Sequence, residues 1–363
     1  MDENKKPNLW SRLKHWSRRH LLILISSAVI LLIASATILI IMMLHKNPEP
    51  APTPKPTPVK AVVIPPVKYY SPLTGLQLAD KAATTQPVTA IMIENSPDAR
   101  PQSGLKDSGV VFEAIAEGGI TRFMVIYQQE KPQLIGPVRS IRLYDAEWLA
   151  AFNSSIGHVG GSMGGLAEIR NGSYRDIDQF FNAGSYWRAS DRYAPHNVYT
   201  SFAKLDALNA AKGYTSSNFT GFTRTDAKPS TTPDASTVNV TVSSALYNST
   251  YQYDATTNTY KRFQAGAPHL DRESGQIAPT VVIAMRVNES TVLQDGYREQ
   301  ISTIGEGAAT IFQNGTAASA TWRKTSKASQ ITFTNAAGAD VPLVRGQTWI
   351  AAVPNGAGDV SWK

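Results

Sequence analysis

Four groups of residues in this chain combine side-chain types and spacings that can do chemistry. The densest is SDRYAPHN (190–197), which gathers Asp191, Arg192, His196 and Asn197 around Pro195. Histidine exchanges a proton near neutral pH, and a nearby carboxylate can orient its ring. His196 is therefore the leading candidate for acid–base work, with Asp191 as its orienting acid. The plainer alternative has His196 and Asn197 bonding only the backbone of their own loop. A second group, GGSMG (160–164), matches the G-x-S-x-G turn that presents a nucleophilic serine, and Ser162, Asp191 and His196 follow in the order Ser, Asp, His. A serine hydrolase is thus one reading. The other is a glycine-rich turn whose amides line a ligand site.

The third group, Arg139-Ser140-Ile141-Arg142, opens a helix. Free amides at a helix start attract anions, and Arg139 and Arg142 add bidentate donors for phosphate or carboxylate. Internal pairing competes with that reading, because Arg142 can reach Asp145 at i+3 and Arg139 can reach the Glu113/Glu117 face. The fourth group is Glu113, Glu117 and Arg122 on a hairpin. If Gly118-Gly119 is a two-residue turn in a regular ladder, Ile115 faces Arg122 and Glu113 faces Met124, which puts all three charges on one face. Such a face is either a carboxylate pair held by a cation or a structural salt-bridge network.

The elements that must hold these groups are legible in the hydrophobic pattern. Residues 87–94 read as a buried strand, and 110–117 and 120–128 as two alternating strands. Ile141, Tyr144, Trp148 and Phe152 recur at helical spacing, and a second helix is expected over 202–212, with Ser201 as N-cap and Gly213 as stop. The first folded part, 69–222, is expected to be α+β or α/β. A polar stretch with two prolines, 223–236, marks a boundary. Beyond it, over 237–356, short β-prone runs separated by turn residues predict a mostly β part. The expected site lies where the 158–165 turn, the Arg139/Arg142 helix start and the 190–197 loop converge. His196, Arg139 and at least one of Ser162 or Glu113 should lie within about 10 Å of one another there.

Composition limits the function classes. Among 363 residues there are 35 Lys plus Arg and 28 Asp plus Glu, a net +7. Six of those cations (Lys5, Lys6, Arg12, Lys14, Arg18 and Arg19) sit in the first 20 residues, so the excess is a basic tail and no nucleic-acid partner is expected. Residues 21–44 are uncharged and apolar. At about 1.5 Å per residue they span roughly 36 Å, enough for one transmembrane helix. Flanking charge orients it with residues 1–20 in the cytoplasm and the rest outside. Ala34-Ser35-Ala36 resembles a signal-peptide cleavage site, but the apolar run continues for eight residues beyond it, which favours an uncleaved anchor. Residues 47–68 hold eight of the 22 prolines and read as a spacer reaching up to roughly 70 Å. No cofactor or metal is expected: the folded part has only His158, His196 and His269, none at ligand spacing, and the chain has no cysteine.

A set of ordered motifs adds a resemblance. SPLTG (71–75), ENSPDARPQSGL (94–105), VVFEAIAEGGITRFMVIYQ (110–128), IGPVRSIR (135–142), HVGGS (158–162) and SDRYAPHNVY (190–199) resemble the YerB-like family of bacterial extracytoplasmic proteins. YDATTNTYKRFQAGAPHLDRESG (253–275) and GQTWIAAVP (346–354) are similar to that family's second domain, so the resemblance covers nearly all of 69–354. It implies a two-domain extracytoplasmic protein and no particular chemistry. Some members are lipoproteins held through a cysteine, from which this sequence departs. The expected role is binding of cell-envelope material, a wall polymer or an envelope protein, by a site including Arg122, Arg139, Arg142, Glu113, Glu117 and Asn197. The alternative is an envelope-acting hydrolase or transferase using His196 with Asp191 or Ser162.

Overall fold

In the computed structural model the described residues are 9–45, 67–292 and 298–363. Most of the basic tail's first half and nearly all of the proline-rich spacer lie outside them. Two compact units result, Met1–Pro65 and Pro66–Lys363. The first carries helix α1 (Leu9–Leu44), within which His20–Leu44 is long and apolar enough to cross a membrane.

The second unit is organised by a large mixed sheet. Ten of its twelve strands among the described residues are β1 (Thr89–Glu94), β2 (Val110–Glu117), β3 (Ile120–Tyr127), β4 (Ser155–Gly157), β5 (Arg175–Asp176), β9 (Val281–Val287), β10 (Gly305–Gln313), β11 (Thr316–Lys324), β12 (Thr332–Thr334) and β13 (Thr348–Pro354). Three strands of a smaller antiparallel sheet fall between β5 and β9 in the chain: β6 (Thr237–Thr241), β7 (Ser249–Asp254) and β8 (Thr259–Gln264). Across the large sheet the order is β12, β11, β10, β9, β13, β2, β3, β1, β4, β5. Strand β13, close to the C-terminus, runs parallel to both β9 and β2 and is buried along its whole length. The polar stretch 223–236 expected as a boundary is therefore not the only connection between the parts before and after it. They share one continuous sheet.

Alternation along the strands sends side chains to two cores. One face carries Phe112, Met124, Ile126, Ile283 and Ile350 and packs against Tyr144, Trp148 and Phe152. Those aromatics come from α2 (Leu143–Leu149) and the turn after it. The other face carries Val111, Phe123, Val125 and Trp349 and packs against Tyr251 and Tyr260 of the small sheet and Phe202 and Leu205 of α4 (Phe202–Ala211). β2 and β3, expected as alternating strands, are instead buried on both faces along nearly their whole length.

Turn and cap chemistry follows the local sequence. Gly118 and Gly119 have φ of 55° and 77°, the pair of left-handed residues that a tight hairpin turn needs. The hydroxyl of Ser201 accepts from the amide of Lys204 at the start of α4, and Gly213 ends that helical segment with φ of 76°. The hairpin register differs from the regular expectation. Arg122 faces Ala114, Phe123 faces Glu113, and an irregularity falls between Ile115 and Glu117. One extra residue in β2 reverses the alternation beyond it. Glu117 and Arg122 therefore point to the α2 face, while Glu113 points to the opposite face.

Candidate functional site

Glu94, the last residue of β1, is the centre of the site. Its buried carboxylate accepts from Nδ1 of His196 at 2.9 Å and from the Ser96 hydroxyl at 3.1 Å, and it forms an ion pair with Nε of Arg139 at 3.3 Å. His196 and Arg139, expected to be neighbours, thus meet on one acid that the motif reading had not singled out. The same nitrogen of His196 also lies 3.2 Å from the Ser96 hydroxyl. With Glu94 and Ser96 both at Nδ1, Nε2 is left facing Asp98, whose carboxylate is 3.9 Å away.

Beside this pair opens a cavity of about 730 Å³ walled by Asp98, Arg100, Asp191, Arg192, His196 and Arg272, among others. Two of its guanidinium groups are held in place by backbone carbonyls. Arg192 donates to the carbonyls of Asp98 at 2.9 Å and Pro101 at 2.6 Å. Arg100 donates to the carbonyls of Asn95 at 2.9 Å and Leu246 at 2.8 Å and lies over the Tyr247 ring. Neither forms an ion pair with a carboxylate among the described residues, although Asp98 and Asp191 share the cavity wall with them.

A closed ring of hydrogen bonds fixes the 94–102 loop from behind. Arg262 of β8, fully buried, donates to Glu113 at 2.8 Å and to Nδ1 of His269. His269 then meets Gln102 at 3.0 Å, Gln102 donates to Asn95 at 3.0 Å, Asn95 to Thr121 at 2.6 Å, and Thr121 returns to Glu113 at 3.3 Å. Trp349 adds an indole N–H to Glu113 at 2.9 Å. Every donor finds an acceptor around this ring only if His269 is neutral. Burial and the adjacent Arg262 hold its pKa well below the ordinary histidine value.

The remaining expected residues are engaged in other contacts. Asp191 pairs with Arg272 at 2.6 Å, which lowers its pKa, and His196 pairs with Glu94, so Asp191 is not the acid that orients His196. Ser162 has ordinary extended backbone, and its hydroxyl caps α3 (Met163–Asn171) by accepting from Gly165. The strained turn of a nucleophile is absent there. Arg142 and Arg122 both meet Glu117, the Arg122 contact being 3.0 Å, and Asp145 accepts from the Arg142 amide at 2.9 Å. Internal pairing thus occupies the helix start expected to bind an anion; burial pushes the Asp145 carboxyl up to about 7. Glu113 belongs to the ring on the far face. Asn197 braces its own loop, donating to the carbonyls of Ala189 and Arg192. Glu94, Arg100 and Arg272 were the omissions. The first two lie inside ENSPDARPQSGL, where an acid ending an apolar strand was the available signal.

The description "Protein of unknown function (DUF3048) N-terminal domain" matches residues 73–215, and its C-terminal counterpart matches 238–350. The putative lipoprotein YerB of Bacillus subtilis (strain 168) is 34% identical over 297 residues, which is 79% of this chain and 87% of that protein. The chain belongs to the YerB-like family. A crystal structure of the YerB protein from Bacillus subtilis shares the fold, with a TM-score of 0.72 at 30% identity over 81% of this chain and all of that one. The two family matches fall on either side of 223–236. In this YerB-like chain the cavity draws residues from both matched segments, since Arg272 comes from the second and Glu94, Arg100 and His196 from the first.

Proposed function

We propose that this YerB-like protein is anchored by α1 with its folded unit outside the cell, and that the cavity beside Glu94 and His196 binds an anionic group of envelope material. The observation that carries this reading is the pair of guanidiniums, Arg100 and Arg192, oriented by backbone carbonyls and in no ion pair with a carboxylate among the described residues. Donors fixed in this way lose little conformational freedom when an anion arrives. Retention of the full chain on isolated wall polymers tests it. The Arg192→Gln variant should lose most of the retention while keeping its melting temperature, and unchanged retention would defeat the proposal. Protease added to intact protoplasts should remove the folded unit, which checks the orientation.

One observation favours a second reading. Glu94 holds Nδ1 of His196 and leaves Nε2 toward the cavity, the arrangement of a general base with its orienting acid. An envelope-acting hydrolase or transferase would then use His196 with Glu94, in place of Asp191 or Ser162. His196→Gln should in that case abolish product release from wall polymer while leaving retention intact.

A further inference from the structure

A second cavity, of about 330 Å³, adjoins the first. Its wall includes Leu134, Trp187, Arg188, Ser190 and Tyr199, and it shares Asp191 and Arg272 with the larger cavity. The Asp191–Arg272 ion pair is thus the partition between them. Both partners are substantially exposed, at 49% and 38%, and a pair in that setting contributes little to stability. An anion on either side can compete for Arg272 without disturbing the core.

The smaller cavity has its own polar feature. The Tyr199 hydroxyl is buried there beside Arg272 but makes no well-aligned hydrogen bond, although a buried hydroxyl ordinarily has one. Trp187 adds a half-buried ring to the same wall. Each cavity therefore offers a guanidinium of its own, Arg188 or the Arg100/Arg192 pair, and Arg272 lies at their junction.

We infer that the two cavities form one groove for a linear chain of anionic repeat units, with successive units in the two cavities and Arg272 bridging them. The inference rests on the proposed binding reading and specifies its ligand as a chain of at least two units. A chain gains over a single unit because the second cavity is filled at no further cost in translational freedom.

Titration calorimetry on the full chain in a non-ionic polyoxyethylene detergent provides the test. The probes are glycerol phosphate, oligo(glycerol phosphate) of two to six units, galacturonate and oligogalacturonate, which separate phosphate from carboxylate sources. Chains of one class should bind at least ten-fold more tightly than their single unit. Arg272→Gln should reduce the chain's affinity to that of the unit. Asp191→Asn, which removes the carboxylate competing for Arg272, should raise it several-fold. Both substitutions are at exposed positions, and unchanged melting temperatures will verify folding. Equal affinity of unit and chain in both classes, or an Arg272→Gln variant that still prefers the chain, overturns the inference while leaving the single-cavity reading standing. If no probe binds, both fail.

Discussion

Arg262 and Glu113 carry opposite charges out of water together, and the ring around them satisfies the remaining donors and acceptors. Removing one partner leaves the other buried and unpaired, which typically costs about 3–5 kcal/mol. Glu113→Gln is accordingly expected to lower unfolding free energy by about 3 kcal/mol, measured by urea denaturation. His269 gives the ring a pH dependence. Its folded-state pKa lies below the unfolded one, so the unfolded chain binds more protons as pH drops below the ordinary histidine value, and stability falls with it. Melting temperatures followed from pH 7.5 to about 5 should decline more steeply in the native protein than in His269→Gln. Equal slopes would mean that His269 titrates normally and the ring has been misread.

Helix caps and strand registers determine what the motif residues can do. Ser162 lies where a strand–turn–helix order suggests a nucleophile, yet its oxygen serves the amide of Gly165. Ser162→Ala should cost about 1 kcal/mol, the usual value of an N-cap, with no loss of retention on wall polymer. A complete loss of function with unchanged stability would reinstate it as a reacting group. The irregularity in β2 acts at the same scale. One residue's displacement turns Glu113 toward Arg262 and Glu117 toward Arg122 and Arg142, so the charges expected as one cluster stabilise two different cores.

For the whole folded unit, β13 is the joining element. It lies between β9 and β2, places Ile350 in one core and Trp349 in the other, and belongs to the last part of the chain. A fragment comprising 66–222 would expose the open edge of β2 together with the apolar surface that β13 and the small sheet cover. We expect that fragment to lack a cooperative thermal transition by circular dichroism, and co-expression with 223–363 to restore one. A fragment that melts cooperatively alone would show that the first part is self-sufficient.

The apolar helix, the hairpin with its glycine turn, the Ser201 cap and the strand-rich character of the chain after residue 236 were readable from the sequence, because each rests on interactions between near neighbours in the chain. Fold class and family followed from the same local patterns taken in order. The carboxylate that holds His196 was not readable, since Glu94 lies 102 residues away, nor was the acid paired with Arg262, 149 residues distant. Arg272 likewise reaches Asp191 only because the last part of the chain folds back along the first. Sequence spacing constrains a side chain's neighbours within a turn or a hairpin. Across a sheet the partner is chosen by strand order and register, and in β2 a single extra residue was enough to change it.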